Sequence, residues 1–509
     1  MPNAAPELVL ASVRQPGEAK SQDIHISNGL VTRITAAEDR PARARIVDLD
    51  GRYVIPGLWD EHVHVTQWAM AANRIDLSNA TSAREAVGII RSRVAGREDG
   101  TFDGGSRGEG GGVPTLVGVG FRDAVWADDP SLAMLDAVTQ DLPAALISHD
   151  LHCVWVNSAA ARRYGVDVDA SGLLREDPAF ALTRELGRLP DSVVDAWVRE
   201  AAQKAAARGV VGIVDFEMTW NRDVWLRRVT GGFGSLRVDA GVYPQHLDRA
   251  RLEGMRTGLD IPGGKGLLRV GPLKVLIDGS LNTRTAYCVD PYPHGGRGLL
   301  TVSETELLAL LVRARESGFL PAVHAIGDAA NQVALNAFEA AGIRGRIEHA
   351  QFVRQEDFPR FGRLGITASV QPAHALDDRD AADANWGERT DRAFPLRSLL
   401  AAGATLALGS DAPVAPLDPW TAMSAATTRS AQDGRGPWHP EQAITRAEAL
   451  FASSRGQVRI RVGDPADIAV LDADPLGVPD RTFASMPVAA TLVAGRFTYD
   501  GGALPKQGG

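Results

Sequence analysis

Short apolar runs and amphipathic segments alternate along the middle of the chain. The apolar runs lie at residues 210–217, 236–243, 270–278, 320–327, 345–351, 365–372 and 404–411, and another run ends at His62 and His64. Apolar runs of this length are typical of strands that are buried on both faces of a parallel sheet. The pattern therefore predicts eight buried strands.

Segments between these strands carry the period of a helix. Residues 304–316 and 328–341 place apolar side chains three or four positions apart, as in an amphipathic helix. Strands that alternate with helices predict βα units and a parallel sheet. Eight such units form a (β/α)8 barrel, the TIM-barrel fold. The predicted fold class is therefore α/β, with an open doubly wound sheet as the alternative.

Both ends of the chain differ from this middle part, because their sequence pattern predicts short strands separated by turns. Strand-like runs lie at residues 8–11, 23–26, 30–34, 44–48, 467–472 and 490–499. We expect residues 1–57 and 456–509 to pair into one small β-sandwich domain that flanks a barrel domain at 58–455. The connection after the first barrel strand is too long for one βα link. It predicts an inserted α/β subdomain at about residues 70–205.

Composition and charge narrow the class of protein. A chain of 509 residues exceeds the roughly 250–300 residues that one hydrophobic core supports, which predicts more than one structural unit. Its net charge of −9 disfavours nucleic acid and anionic membranes as partners. Cys153 and Cys288 are too few for a disulfide framework. The chain contains no run of about 18 apolar residues that would span a membrane. We expect a cytoplasmic protein with a small-molecule substrate.

Residues with metal-binding side chains lie at or near the ends of the predicted strands, where barrel active sites are found. The candidate ligands are His62, His64, Lys274, His324, His349 and Asp411. Alternate residues of a strand point to the same side, so His62 and His64 would leave their strand together. Taken singly, His324 could be a hydrogen-bonded core residue and Asp411 a helix cap. Their joint occurrence favours a metal centre of the kind that zinc forms.

Lys274 decides the type of centre. Only five of the 54 basic residues are lysines, and Lys274 lies within an apolar run. Burial lowers the pKa of a lysine, and a neutral amine can add CO₂ to form an anionic carbamate. An unmodified ammonium beside two divalent cations would be repelled. An ion pair with Asp278 or a Schiff-base role are the alternatives.

Seven blocks of sequence carry a resemblance to a known family. They are Pro56–His64, His152–Ser158, Lys274–Ala286, His324–Ala330, Ile347–Gln351, Ser369–His374 and Gly409–Pro413. Over nearly its whole length the chain resembles the amidohydrolase superfamily, and within it the amidohydrolase 3 group of YtcJ-like metal-dependent hydrolases. Glu61, in place of a small residue, and Asn282-Thr283, in place of Gly-Ser, depart from the group's pattern. The resemblance is compatible with a homodimer.

This resemblance implies roles for the candidate ligands. His62 and His64 would bind one metal ion, His324 and His349 a second, and carboxylated Lys274 would bridge the two. Asp411 would bind the first ion and shuttle protons, which makes Asp411 and Lys274 the expected catalytic residues. The implied cofactors are two divalent ions, Zn²⁺ first, with Mn²⁺, Co²⁺ or Fe²⁺ also suitable, and the CO₂-derived carbamate.

The expected reaction is hydrolysis of a non-peptide carbon–nitrogen bond, such as that of an N-acyl or N-formyl compound, by a metal-activated hydroxide. Candidate substrate-binding residues are Trp68, Trp220, Trp386, His152, Arg284 and His374. The tryptophans would line a pocket for an apolar or aromatic substrate, or else pack the inserted subdomain. The alternatives are a lactonase or ester hydrolase with the same site, and a non-catalytic scaffold protein with the same fold.

Overall fold

The computed structural model describes residues 7–36, 40–41, 43–95, 105–106, 115–121, 123, 126, 128–148, 153–175, 177–293, 295–431 and 433–504. The chain divides into two compact units. One unit comprises Met1–Val65 with Ala202–Gly509, and the other comprises Thr66–Ala201. Among the described residues, no helix is both long enough and apolar enough to cross a membrane.

The strands of the described residues are, in chain order, β1 (Leu8–Val13), β2 (Gln22–Ser27), β3 (Leu30–Ala36), β4 (Arg45–Asp48), β5 (Tyr53–Pro56), β6 (Leu58–Val63), β7 (Ile75–Asp76), β8 (Gly105–Ser106), β9 (Thr115–Phe121), β10 (Ala144–Ser148), β11 (Cys153–Val156), β12 (Leu173–Arg175), β13 (Val210–Asp215), β14 (Arg237–Val242), β15 (Leu268–Leu276), β16 (Pro321–Ala325), β17 (Arg346–His349), β18 (Thr367–Val370), β19 (Thr405–Leu408), β20 (Ile468–Leu471), β21 (Val488–Val493) and β22 (Arg496–Asp500).

The α-helices of the same residues are α1 (Val65–Ala72), α2 (Ala83–Ala95), α3 (Leu132–Thr139), α4 (Ser158–Tyr164), α5 (Asp177–Leu186), α6 (Asp191–Ala206), α7 (Asn221–Thr230), α8 (Leu247–Leu252), α9 (Glu304–Ser317), α10 (Asp328–Ala341), α11 (Phe358–Leu364), α12 (His374–Asp377), α13 (Arg379–Trp386), α14 (Leu396–Ala401), α15 (Pro419–Thr428), α16 (Arg446–Ser453) and α17 (Asp480–Ala484). Short 3₁₀ helices lie at Pro244–His246, Gln355–Asp357, Gly387–Arg392 and Pro440–Gln442.

Eight parallel strands form a nearly closed barrel in the larger unit. Their order is β6, β13, β14, β15, β16, β17, β18 and β19, which is also their order in the chain. The first and last strands meet where the Asp411 amide donates to the His62 carbonyl at 2.7 Å and the His64 amide donates to the Ala412 carbonyl at 2.9 Å. The predicted α/β barrel is confirmed. The alternative, an open doubly wound sheet, is wrong because these hydrogen bonds join the first and last strands of the sheet.

Two of the helices between the barrel strands show how local sequence sets their ends. Ser303 and Glu306 form a capping box at the start of α9, in which each side chain accepts from the other residue's backbone amide. The helix ends at Gly318, whose φ of 76° is readily adopted only by glycine. Helix α10 coincides with the predicted helix at 328–341.

Strands from both chain ends form two four-stranded sheets that flank the barrel in the larger unit. The first has the order β3, β2, β1, β4, and the second has the order β22, β21, β20, β5. Strand β5 precedes the barrel in sequence and pairs antiparallel with β20, which follows it. Leu10 and Ile24 of the first sheet share one apolar core with Val470 and Leu492 of the second.

The smaller unit contains a sheet of its own, in the order β12, β11, β10, β9, β7, with β8 paired to β9. Its strands β9 and β10 are parallel. Buried Leu146 and Trp155 belong to its core. The domain boundaries proposed from the sequence, including those of the insertion, stay predictions.

Candidate metal centre

Strand β6 carries the first two candidate ligands, and it reaches the end of the barrel through a β-bulge. Between Asp60 and Val63 it advances by three residues while the paired strand β13 advances by two. A bulge changes the direction of the side chains that follow it. In a regular strand the neighbours Glu61 and His62 would face opposite sides, but here both contact β17.

His62 is almost completely buried, and a carboxylate fixes the position of its ring proton. Its Nδ1 lies 2.7 Å from Oε2 of Glu348. Burial alone would raise the pKa of Glu348, but the adjacent charge of Arg346 and the contact with His62 hold that pKa well below its usual range. An ionised carboxylate can only accept, so Nδ1 of His62 donates. Its Nε2 therefore carries the lone pair that a metal ion requires.

His64 and Asp411 lie on either side of the closure of the barrel, close to Nε2 of His62. Oδ1 of Asp411 is 3.5 Å from Nε2 of His62 and 3.4 Å from Nε2 of His64. Burial would raise the pKa of Asp411, but the neighbouring His62 and His64 rings hold it below its usual range. Asp411 has a φ of 57°, a left-handed conformation that is uncommon outside glycine and is found at functional sites. It offers an anionic oxygen to the same point as the two imidazoles.

His324 and His349 come from neighbouring strands and bring two further imidazoles to this point. Their ring centres are 4.4 Å apart, and His349 lies 5.1 Å from the ring of His62. Burial first, and then the charge of Lys274, lower the pKa of His62 to about 4 and that of His324 to about 3. Burial also lowers the pKa of His349. All three rings are therefore neutral at pH 7, the form that binds metals.

Lys274 lies in β15, is 1% exposed and reaches into the cluster. Its Nζ is 3.2 Å from Nε2 of His62 and 4.6 Å from the centre of the Phe216 ring. Burial lowers its pKa from 10.5 to about 8. Among the described residues no ion pair joins Lys274 to Asp278, whose carboxylate instead accepts from the backbone amides of Gly327 and Tyr287. The ion-pair alternative for Lys274 is therefore not supported.

The donor atoms present fit a divalent metal ion. One ligand atom each from His62, His349 and Asp411 lie within 4.8 Å of one another. In the described part of the chain, Nδ1 of His64 and Nδ1 of His349 are buried without a hydrogen-bond partner. Such orphaned polar atoms are costly unless a ligand satisfies them. Neutral imidazoles with one carboxylate are a donor set that zinc and related metals prefer.

His374 is the substrate-binding candidate that the structure places beside this cluster. It is the first residue of α12, and its ring stacks on His349 with 6.3 Å between centres and 20° between planes. Its Nε2 is buried and, among the described residues, unpartnered. Arg284 is exposed, and within the described part of the chain no hydrogen bond or ion pair links it to the cluster.

The tryptophan candidates have the contacts of packing residues. Trp386 is 2% exposed and stacks on Phe352 with 4.4 Å between ring centres. Trp220 lies under the guanidinium of Arg249, 4.4 Å from its ring centre. Trp68 is half-buried in α1 and belongs to the smaller unit, and His152 lies outside the described residues. Their role in substrate binding stays a prediction.

Several charged residues without a role predicted from the sequence support the ligands. Glu348 and Arg346 hold His62, and Oδ1 of Asp60 accepts from the backbone amides of His62 and Ser410 at 3.1 and 2.9 Å. Burial raises the pKa of Asp60 to about 7. The available signal was the presence of charged residues inside otherwise apolar strands, since such side chains are rarely buried without a partner.

Known proteins resemble the chain over most of its length. It is 27% identical to Protein LONG AFTER FAR-RED 3 of Arabidopsis thaliana (89% of this chain, 83% of that protein) and 25% identical to Putative amidohydrolase YtcJ of Bacillus subtilis (strain 168) (89% and 90%). It is 25% identical to N-substituted formamide deformylase of Arthrobacter pascens, with 97% of this chain and 98% of that protein covered. A crystal structure of an uncharacterized metal-dependent hydrolase from Pyrococcus furiosus superposes with a TM-score of 0.74 at 25% identity, covering 92% of this chain and 100% of that one.

The family model for the group, Amidohydro_3, described as the amidohydrolase family, matches residues 45–499. That range includes both sides of the barrel closure and every candidate ligand. The resemblance inferred from the sequence blocks is confirmed, as is the predicted enzyme class, a hydrolase of carbon–nitrogen bonds. The chain belongs to the amidohydrolase family.

Proposed function

We propose that this protein is a metal-dependent amidohydrolase that cleaves the amide bond of a small N-acyl or N-formyl compound. One observation carries the proposal. The neutral imidazoles of His62 and His349 and the ionised Asp411 bring one ligand atom each within 4.8 Å of one another. The contact of Glu348 with Nδ1 of His62 directs the lone pair of Nε2 toward the same place. Imidazole nitrogens buried without hydrogen-bond partners are uncommon in a core that has only a packing role.

Two divalent ions, Zn²⁺ first, fit the donor set. His62, His64 and Asp411 would hold one, and His324 and His349 the other, with carboxylated Lys274 between them. When bound, the ions would supply a nucleophilic hydroxide near neutral pH and polarise the substrate carbonyl. The pKa of Lys274 near 8 supports the carbamate, because the neutral amine is the form that adds CO₂, releasing one proton.

Asp411 is the proposed proton carrier. Its carboxylate is ionised and 13% exposed at the end of the barrel. It can accept the proton of the attacking water and deliver it to the leaving nitrogen as the carbon–nitrogen bond breaks. His374, beside His349, would hold the substrate through its unpartnered Nε2.

The substrate class rests on chemistry and on one relative. The name of the Arthrobacter pascens protein states that it acts on N-substituted formamides. A formamide has the smallest acyl group, so its carbonyl can approach a crowded cluster of rings. A lactone or ester presents the same electrophilic carbonyl, so hydrolysis of such compounds is the second candidate function.

Metal content and intact mass test the proposal first. Protein loaded with Zn²⁺ and bicarbonate should hold about two ions per chain, and its mass under non-acidic conditions should include one CO₂. Lys274→Ala should lose the CO₂ and one or both ions. Matched N-formyl, N-acetyl, ester and lactone compounds with one aromatic group then define the activity. No bound metal after this treatment would exclude the proposed metal-dependent function, whereas one ion without CO₂ would exclude the binuclear centre.

A further inference from the structure

A chain of alternating charges runs through the barrel and ends at His62. Oε1 of Glu61 lies 2.6 Å from Nε of Arg455, and its Oε2 lies 2.8 Å from Nη1 of Arg346. Oε1 of Glu348 lies 2.5 Å from Nε of Arg346, and its Oε2 lies 2.7 Å from Nδ1 of His62. Each carboxylate thus contacts two different partners, and Oε2 of Glu348 also accepts a longer hydrogen bond of 3.5 Å from Nη2 of Arg346. The series Arg455–Glu61–Arg346–Glu348 is called the ion-pair chain below.

The ion-pair chain runs from a partly exposed arginine to a fully buried carboxylate. The exposed fraction of the side chain is 28% in Arg455, 6% in Glu61, 14% in Arg346 and 0% in Glu348. The exposed end borders a cavity of about 500 Å³ among the first residues of several barrel strands. The buried end touches the metal centre, which lies at the last residues of those strands. The ion-pair chain therefore connects the two ends of the barrel.

Both arginines of the ion-pair chain are fixed by further contacts. The guanidinium carbon of Arg455 lies 3.2 Å from the centre of the Trp59 ring, and its Nη2 lies 2.8 Å from Oδ2 of Asp239. Nη2 of Arg346 donates to the Glu61 carbonyl at 2.8 Å and to Oγ of Ser369 at 2.6 Å. A planar guanidinium held at several nitrogens has little freedom to turn. The carboxylate of Glu61, which lies between two such groups, is equally restrained.

We propose that Glu61 and Arg455 are positioning residues for the metal centre, and that they act on His62 through Arg346 and Glu348. Glu61 keeps Arg346 from turning wholly toward Glu348, so that Oε2 of Glu348 stays available to Nδ1 of His62. The bond from Nδ1 then keeps the lone pair on Nε2. The metal-binding part of this inference rests on the proposed function, whereas the effect on the ring proton of His62 does not.

Glu61→Gln is the central variant, because it keeps the shape of the side chain and removes its charge. The single carbonyl oxygen of the new amide would be shared by two guanidiniums, and Arg346 would draw Glu348 away from His62. We expect Zn²⁺ or Mn²⁺ affinity, measured by competition with a chromophoric chelator, to fall about tenfold, as for groups that orient metal-binding histidines. In metal-free protein, ¹⁵N NMR of the His62 ring should change from one tautomer, protonated at Nδ1, to a mixture.

A double variant and a matched control separate positioning from general damage. In Glu61→Gln with Arg455→Met, the amide carbonyl introduced by the first substitution serves Arg346 alone, so metal affinity and the Nδ1 tautomer should return toward those of the wild type. Asp357→Asn is the control. Asp357 is 1% exposed and accepts from Arg354 at 2.7 Å and Arg360 at 3.0 Å, with no described link to the candidate ligands. It should lower stability in denaturant without changing metal affinity.

The outcomes distinguish this inference from the proposed function. If the wild type binds no metal, the proposed function fails, and the tautomer of His62 still decides the inference. An unchanged tautomer in Glu61→Gln overturns it, as does a double variant that binds metal no better than Glu61→Gln. Loss of affinity in Asp357→Asn to the same extent also overturns it, because the effect would then follow any broken buried ion pair.

Discussion

The two ends of the barrel differ in how many of their buried polar atoms have hydrogen-bond partners. At the ends of the strands, Nδ1 of His64, Nδ1 of His349 and Nε2 of His374 are buried without partners among the described residues. Toward the beginnings of the strands, both carboxylate oxygens of Glu61 and all three guanidinium nitrogens of Arg346 take part in ion pairs and hydrogen bonds. Buried polar atoms are unpaired at the ends of the strands, and the charged side chains toward their beginnings are paired.

The difference indicates that the ends of the strands bind ligands and that the paired charges toward their beginnings support the fold. Unsatisfied buried polar atoms cost free energy, so they persist where a ligand or reaction uses them. Fully paired charges in a dry interior hold neighbouring groups in one arrangement. Substitutions at the open end should therefore affect activity more than stability, and those at the paired end should affect stability strongly.

Asp411→Asn should have the largest effect. The amide cannot accept a proton, so turnover of the best substrate in the panel should fall by about 10³-fold. Bound metal should be measured on the same preparation, because the amide oxygen can still act as a ligand. Full turnover with metal retained would show that Asp411 is not the proton carrier.

Arg346→Met should have the largest effect on folding. It leaves Glu61 and Glu348 as buried carboxylates without their shared partner, and breaking such pairs costs about 3–5 kcal/mol. The free energy of unfolding of the metal-free protein, from urea denaturation, measures this loss. A loss below about 1 kcal/mol would contradict the view that the paired end supports the fold.

The pH dependence of stability tests the burial of Lys274 at the open end. Its folded pKa of about 8 lies below its ordinary value of 10.5. Between these values the unfolded chain binds the additional proton, so stability rises with pH, by at most about 1.4 kcal/mol per pH unit. Below pH 8 both states are protonated, and the full cost of burying the ammonium remains.

The comparison is made between metal-free wild type and Lys274→Met in CO₂-free buffer. The stability of the wild type relative to the variant should increase from pH 8 to 10.5, because the variant lacks the titrating amine. Parallel curves over this range would mean that Lys274 keeps an ordinary pKa and is not prepared for carbamate formation.

His374→Gln should have the smallest effect on stability. Its Nε2 has no described partner to lose, so the free energy of unfolding should change by less than about 1 kcal/mol. If the ring holds the substrate, kcat/KM should fall about tenfold, mainly through KM. An unchanged KM would assign His374 to the packing of His349 alone.

Local sequence determined the barrel strands and the candidate ligands of this protein. The apolar runs, the capping box of Ser303 and Glu306, and the His62–His64 pair act over a few residues, where the periods of strands and helices are visible in one sequence. The eight predicted strands therefore appear in the structure. The candidate ligands meet at their ends, in described contacts that join His62 to Lys274, His349 and Asp411.

The partners of those ligands were decided only by the tertiary structure. Glu348 meets His62 across 286 positions of sequence, and Arg455 meets Glu61 across 394. Both contacts depend on the register of the barrel and on the bulge in β6, which turns two neighbouring residues toward one strand. A period of two predicts opposite faces for Glu61 and His62. Only the closed barrel, where one added residue changes that alternation, brings a structural ion pair and a metal-binding imidazole side by side.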